Sequence, residues 1–194
     1  QYNRSFLVGK RGKTIGHILL NIKDNALIDG AVGSAPFDGE GVPGQNKYII
    51  KQGKLLENGL LHNSYTAGKE GINSTGNGFR GSYKSLPSID TTNLILKPGK
   101  TTKEDMIGEI KEGIYLGYTG DRPNISTGDF SGLIMHGNKI ENGEIKTPLN
   151  ETMFGINLLD LFNKVESISK EYKMMGSYQA PYVKVRDVRI IGSQ

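Results

Sequence analysis

The chain has 194 residues, with 24 Lys and Arg against 20 Asp and Glu and a formal net charge of +4, and this length predicts one domain with a sizeable core. The positive charge is mild and dispersed, which argues against nucleic-acid or membrane-surface binding, and the absence of cysteine excludes disulfides and thiolate ligands within the chain. No apolar run reaches the ~18 residues that span a bilayer and no signal peptide is visible, so we expect a cytoplasmic protein.

The first half of the chain predicts hairpins and a long loop. Residues 63–86 are poor in apolar side chains and rich in Gly, Ser, Asn and Thr, which predicts an irregular loop of the kind that often carries function. A short strand is expected at residues 91–96. Apolar runs broken by turn residues predict two earlier hairpins, whose strands are residues 5–8 with 15–22 and residues 48–50 with 55–61.

The second half predicts two helices among further strands. Thr101 and Glu104 form a capping-box pattern that begins a helix running to about residue 111. Apolar residues at a spacing of three predict a second helix over residues 155–167. Asn142-Gly143 predicts a type I′ hairpin, because both residue types tolerate positive φ. The remaining predicted strands are residues 114–118, 126–135 and 182–191, the last with a phase slip near Asp187 that is typical of a bulge.

The 27 glycines and an apolar share of only 36% favour many turns over a helical bundle. Together with the predicted elements, they indicate an α+β fold. We expect a mainly antiparallel β-sheet domain with two or three helices packed against it.

An acidic loop at residues 35–45, APFDGEGVPGQ, places Asp38 and Glu40 among glycines and prolines. Glycine permits backbone conformations that other residues resist, and proline fixes its own φ, so this loop has a defined shape. The two carboxylates could hold a metal, act as acid and base, or accept hydrogen bonds from nearby backbone amides. We favour the last interpretation, because nothing in a loop sequence fixes the relative direction of the two side chains.

Other motifs give weak indications of chemistry. His17, His62 and His136 show no i, i+4 pairing and no adjacent nucleophile, so a structural role is the favoured interpretation of each. Ser131 lies in GDFSG, which lacks the G-x-S-x-G spacing of a nucleophile elbow. The glycines of residues 75–78 are not followed by the Gly-Lys-Ser/Thr of a phosphate-binding loop.

Seven segments follow one another in a specific order: SFLVGKRGKTI (5–15), APFDGEGVP (35–43), STGNG (74–78), LKPGKTTKEDMI (96–107), STGDFSG (126–132), IENGEIKTPL (140–149) and VRDVRIIG (185–192). In this order and spacing they resemble the C-terminal domain of the TldD/PmbA family. The resemblance covers nearly the whole chain. It implies that residues 1–194 are a single domain of a longer protein, β-rich with a few helices.

The resemblance also implies a choice between two branches. TldD-type members are zinc metalloproteases with an H-E-x-x-x-H helix and a cysteine as third ligand, whereas PmbA-type members, also called TldE, lack this site and pair with TldD-type subunits. By the resemblance, the H-E-x-x-x-H helix would lie just before Gln1 and the third ligand in residues 171–181, EYKMMGSYQAP, which contain no cysteine. Methionine or serine does not replace a soft thiolate there.

We therefore expect a PmbA-like, non-catalytic subunit of a peptide-degrading or peptide-maturing protease complex. Its partner would be a TldD-like subunit or a second copy of itself, and its cleft would take unfolded or extended peptides. No catalytic, cofactor-binding or metal-binding residue is predicted in the chain, and zinc enters only under the first of two alternatives. These alternatives are a TldD-like zinc metalloprotease with its histidines upstream, and a stand-alone binding or scaffold domain. The predicted cleft or partner contacts are Asp38, Glu40, Asn77, Arg80 and Asp129.

Overall fold

The structure is a computed structural model that describes residues 4–192. Within these residues the chain forms three short helices and fourteen strands. The helices are α1 (Ser64–Glu70), α2 (Lys103–Gly108) and α3 (Leu158–Asn163). The strands are β1 (Ile22–Asn25), β2 (Asn46–Lys51), β3 (Lys54–Leu55), β4 (Gly78–Phe79), β5 (Ser88–Ile89), β6 (Leu94–Leu96), β7 (Glu112–Tyr118), β8 (Asp129–Leu133), β9 (His136–Glu141), β10 (Glu144–Pro148), β11 (Met153–Asn157), β12 (Val165–Met175), β13 (Tyr178–Val185) and β14 (Arg189–Ile191).

The strands form four sheets, and nearly all of their pairs are antiparallel. The largest sheet has the order β12-β13-β6-β1-β2-β3, in which only β13 and β6 run parallel. Two three-stranded sheets have the orders β10-β9-β7 and β14-β11-β8, and β4 pairs with β5. The expected α+β class with a mainly antiparallel sheet is confirmed.

The main core packs against the six-stranded sheet. Its buried side chains come from the sheet itself and from the segment that precedes β1. Leu159 and Phe162 of α3 pack against it. Each fully buried Leu or Ile side chain contributes about 1.5–3 kcal/mol relative to exposure, so this cluster is the main apolar support of the sheet. Its members are Ile15, Leu20, Ile50, Leu55, Val165 and Ile168.

The turns of two predicted hairpins are confirmed. Gln52 and Gly53 join β2 to β3 with φ angles of 51° and 75°. Asn142 and Gly143 join β9 to β10 with φ angles of 49° and 81°, as a type I′ turn requires. The predicted irregularity near Asp187 is a break between β13 and β14, where Asp187 has a φ of 51°.

The first predicted hairpin, residues 5–8 with 15–22, does not form. Residues 5–8 form turns, and residues 15–22 are irregular except where β1 begins at Ile22. Ile15 and Leu20 are nonetheless buried. The apolar pattern of this segment therefore reflects packing in the core and not strand pairing. The predicted strand at 55–61 is correct only at Leu55, after which Leu56 donates to the Ile49 carbonyl and the chain turns.

The second predicted helix is mostly wrong. Of residues 155–167 only Leu158–Asn163 are helical, and β11 and β12 occupy the two ends. The Asn157 side chain accepts a hydrogen bond from the Leu159 amide and so begins α3 there. Short apolar runs fit the period of a helix and of a strand equally well. Here residues 153–157 form a strand because β11 pairs with β8 on one side and β14 on the other.

The first predicted helix exists but is shorter and shifted by one residue. Its N-cap is Thr102, whose side chain accepts from the Asp105 amide at 2.9 Å, and not Thr101. It ends at Gly108, and β7 follows, where Glu112 pairs with Glu141 of β9. No helix among residues 4–192 has both the length and the apolar character to cross a membrane.

Candidate functional site

The loop predicted to be irregular contains helix α1. Asn63 caps it by accepting a hydrogen bond from the Thr66 amide, and Gly71 ends it in the left-handed conformation with φ 68°. The sequence carried both signals, an Asn before the helix and a Gly after it, within a stretch poor in apolar residues. The acidic loop 35–45, the glycine-rich loop 74–78 and the start of α1 meet in one region. We call this region the loop junction.

Asp38 organises the loop junction. Its Oδ1 accepts hydrogen bonds from the amides of Glu40 at 2.9 Å and Val42 at 3.0 Å. Its Oδ2 accepts from the Gly78 amide at 2.7 Å. One carboxylate therefore closes its own turn and joins it to the glycine-rich loop, as the backbone-ordering interpretation expected.

Glu40 joins the acidic loop to α1. Its Oε2 accepts a hydrogen bond from the amide of Ser64, the first residue of the helix, at 2.7 Å. A carboxylate at this end also complements the partial positive charge of the first helical turn. Asp38 and Glu40 both accept hydrogen bonds from backbone amides of the chain. These hydrogen bonds explain both carboxylates as structural groups.

The two glycines of the glycine-rich loop are explained by how closely this loop approaches the acidic loop. A Cβ on Gly76 would lie 2.5 Å from the Pro43 carbonyl oxygen, and Gly76 also has a φ of +70°. A Cβ on Gly78 would lie 2.6 Å from Glu40 Oε2. These glycines therefore allow close approach to a backbone carbonyl and to a carboxylate of the acidic loop, and do not form a phosphate cradle.

Beneath the loop junction lies a buried ion pair that the sequence did not suggest. Asp24 of β1 has no exposed surface. Its Oδ2 accepts from Lys47 Nζ at 3.2 Å and from Asn77 Nδ2 at 2.8 Å. Its Oδ1 accepts from the amide and hydroxyl of Thr92 at 2.6 and 2.9 Å. Four donors on one buried carboxylate tie the sheet to the glycine-rich loop.

Asn77 and Arg80 complete the junction. Asn77 is 3% exposed, and besides Asp24 it donates to the Asp90 carbonyl at 2.9 Å. Arg80 is exposed and donates to the carbonyls of Gly39 at 3.0 Å and Ser85 at 3.1 Å. Asn77 is therefore structural, while Arg80 lies at the surface where a contact to another molecule is accessible.

Asp129 lies elsewhere, on β8 of a different sheet. Hydrogen bonds from Asn157 and Thr127 hold the pKa of its carboxyl below the usual value. Its Oδ1 accepts from Asn157 Nδ2 at 3.0 Å. The structure thus brings together four of the five predicted contact residues at the loop junction. Asp129 is the fifth, and its side chain is hydrogen-bonded to other residues of the described chain.

The three histidines lie in different environments. His17 caps a local turn, with its Nδ1 3.4 Å from the Leu19 amide. His136 lies beside the ring of Tyr118, with 6.0 Å between the ring centroids. His62 is only 5% exposed and precedes Asn63, the N-cap of α1. Its burial lowers the pKa of the imidazole, and the nearby Glu70 carboxylate partly opposes this.

The residues do not fit a thiolate-type zinc site. Residues 171–181 fold into the β12–β13 hairpin, in which Met174 and Met175 are 54% and 58% exposed. Glu171 there is committed to the start of α2, where its Oε2 accepts from the Lys103 amide at 2.9 Å. Across residues 4–192, no three His, Cys, Asp or Glu side chains group in a way that could hold a metal ion.

Comparison with known proteins identifies the family. The profile of the PmbA/TldA metallopeptidase C-terminal domain matches residues 1–192. The chain belongs to this family.

Individual relatives carry the names of both branches. A metalloprotease of Methanocaldococcus jannaschii is 33% identical over 91% of this chain and 39% of its own length. A zinc metalloprotease TldD homolog of Saccharolobus solfataricus is 31% identical over 94% of this chain and 44% of its own length. The crystal structure of TldE from Thermococcus kodakarensis superposes with a TM-score of 0.88, at 26% identity over 98% of this chain and 46% of that one. This PmbA/TldD-family chain therefore spans less than half the length of these relatives.

Proposed function

We propose that this domain belongs to a PmbA-like (TldE-like), non-catalytic subunit of a peptide-degrading or peptide-maturing protease complex. The observation that carries the proposal is the donor set of the β12–β13 hairpin, residues 171–181. The family resemblance assigns the third zinc ligand of TldD-type members to this segment. Here it offers thioethers, hydroxyls and one carboxylate, but no thiolate.

The chemistry of these donors supports a non-catalytic role. Protein zinc sites use Cys, His, Asp or Glu ligands at about 2.0–2.3 Å, and a neutral thioether is a poor substitute. Glu171 is the carboxylate of the hairpin, and it is already bound to the start of α2. A zinc ion at this hairpin would compete with the Lys103 amide for the Glu171 carboxylate and would gain a single ligand there.

A role in lining a substrate cleft is supported by exposed backbone and apolar surface. β10 is the outer strand of its sheet and all five of its residues are exposed. Extended peptides of varied sequence bind such edges through backbone hydrogen bonds. Beside Arg80, Tyr83 and Leu86 are 85% and 89% exposed and offer apolar contact to a peptide or a partner subunit.

The test is the metal content and activity of the full-length cytoplasmic protein. We expect no stoichiometric zinc after purification and no peptidase activity by the protein alone. Activity should appear when a TldD-type subunit is added. The matched control is that TldD-type subunit, purified identically and assayed for zinc by the same method.

Two results would overturn the proposal in different directions. One tightly bound zinc per chain, with chelator-sensitive peptidase activity of the isolated protein, would favour the TldD-like metalloprotease, which is the activity named for several relatives. Failure to recover a TldD-type subunit with the protein, from cells that encode one, would favour a homo-oligomer or a stand-alone binding domain.

A further inference from the structure

A buried histidine lies beside an ion pair that joins α1 to residues 9–14, which we call the N-terminal turn. His62 Nε2 lies 3.8 Å from Glu70 Oε2, at the last residue of α1. Glu70 in turn accepts two hydrogen bonds from the guanidinium of Arg11, at 2.6 and 2.7 Å. Arg11 belongs to the N-terminal turn. This turn is attached to the six-stranded sheet by a hydrogen bond from the Gly12 amide to the Leu55 carbonyl. We call His62, Glu70 and Arg11 the histidine triad.

The hydrogen bonds of Asn63 and Thr66 indicate the tautomer of His62. Asn63 is oriented by its Nδ2, which donates to the Pro87 carbonyl, and by its Oδ1, which accepts from the Thr66 amide. The Thr66 hydroxyl has two acceptors on Asn63, Oδ1 at 2.9 Å and the carbonyl oxygen at 3.3 Å, and we place its single proton on the shorter contact. The Thr66 oxygen therefore faces His62 Nδ1, 3.3 Å away, with a lone pair. With the hydroxyl proton of Thr66 placed there, we assign the imidazole proton to Nδ1.

This tautomer leaves two acceptors facing each other. The unprotonated Nε2 points a lone pair towards Glu70 Oε2, and no proton lies between them. The charged groups around the ring are Glu70 from α1 and Arg11 from the N-terminal turn. Glu57 approaches the same turn, since its Oε2 lies 2.7 Å from where a Cβ of Gly12 would be. Arg11 therefore satisfies Glu70 as long as His62 is neutral.

We propose that the histidine triad is an acid-sensitive latch, in which a proton taken from solvent by His62 Nε2 draws Glu70 away from Arg11. The imidazolium then donates at both nitrogens, to Thr66 and to Glu70. Arg11 loses part of its bidentate hydrogen bond, and the N-terminal turn is held less tightly against α1. The latch is closed at neutral pH and loosens in acid.

The sign of the pH dependence follows from the same geometry. Burial lowers the pKa of His62 below 6.5 in the folded protein. As pH falls, the unfolded chain takes up this proton first, so the stability due to neutral His62 is complete above about pH 6.5. It is lost progressively between that value and the lower pKa of the folded state.

The test is hydrogen–deuterium exchange of the full-length protein at about pH 7.5 and pH 5, corrected for intrinsic rates. We expect residues 9–14 to lose protection at the acidic pH in the wild type. In His62→Gln, which cannot be protonated, protection should not change between the two conditions. His136→Gln, at an exposed histidine, is the matched control and should behave as the wild type.

A second measurement keeps the proposal testable if His62→Gln fails to fold. Nitrogen-resolved NMR of the wild-type imidazole should show a proton on Nδ1 at neutral pH and on both nitrogens in acid. A neutral ring protonated at Nε2 would overturn the proposal, and so would protection of residues 9–14 that is unchanged between the two pH values.

Discussion

Replacing Asp24 with asparagine tests the buried ion pair beneath the loop junction. The wild-type carboxylate receives four hydrogen bonds, from Lys47, Asn77 and the amide and hydroxyl of Thr92. The amide of asparagine has one oxygen and one NH₂ group. Whichever way it is oriented, the NH₂ group faces two donors of the wild-type network. Lys47, whose side chain is 12% exposed, loses its anionic partner.

The expected loss of stability is large. Removing one member of a buried ion pair typically costs about 3–5 kcal/mol, because a charge is left uncompensated. For a domain of about 150–250 residues each kcal/mol lowers Tm by ~2–4 °C, so Tm should fall by roughly 6–20 °C. Asn77 is held by Asp24, so the glycine-rich loop 74–78 should also exchange its amides faster.

Thermal and urea unfolding followed by circular dichroism measure the effect. The matched control is Asp29→Asn, the same chemical change at an exposed position, which should stay within about 0.5 kcal/mol of the wild type. A loss of less than about 1 kcal/mol for Asp24→Asn would refute the reasoning, because it would mean that the network reorganises at little cost.

Two further substitutions test the loop junction itself. Asp38→Asn places an NH₂ group against one of three backbone donors, so it should lower the free energy of unfolding by about 1–3 kcal/mol in urea titrations; normal folding with complete loss of peptidase activity in the complex would contradict a structural role. Gly76→Ala forces φ +70° on alanine and puts its Cβ against the Pro43 carbonyl, which should cost about 1–3 kcal/mol. In the same assay Gly81→Ala, where a Cβ meets nothing within 4 Å, should be close to neutral.

Local features of the fold were predictable because their causes lie within a few residues. The Asn142-Gly143 turn follows from the φ angles that these residues tolerate. The α2 cap was displaced by only one residue, from Thr101 to Thr102, since adjacent threonines offer the same hydroxyl. Residues 155–167 failed as a helix because strand pairing, which the local pattern does not contain, outweighed a spacing of three.

The candidate site shows the same division. Asp38 and Glu40 stood out in the sequence, and the interpretation that they order backbone amides follows from turn chemistry. That they reach Gly78 and Ser64 was not predictable, because those amides lie 40 and 24 residues further along the chain. Asp24 and His62 gave no sequence signal, since burial and distant partners define both.

The sequence by itself determined the family, the β-rich class, the tight turns and the absence of a thiolate donor, because each depends on residue type or on short spacing. Only the tertiary structure decided which polar groups meet. Asp24 accepts a hydrogen bond from Asn77, 53 residues further along the chain, and Arg11 donates to Glu70, 59 residues further along. Such contacts arise when sheet pairing and core burial bring distant segments together, and a buried charge must then be satisfied by whatever donors that packing supplies.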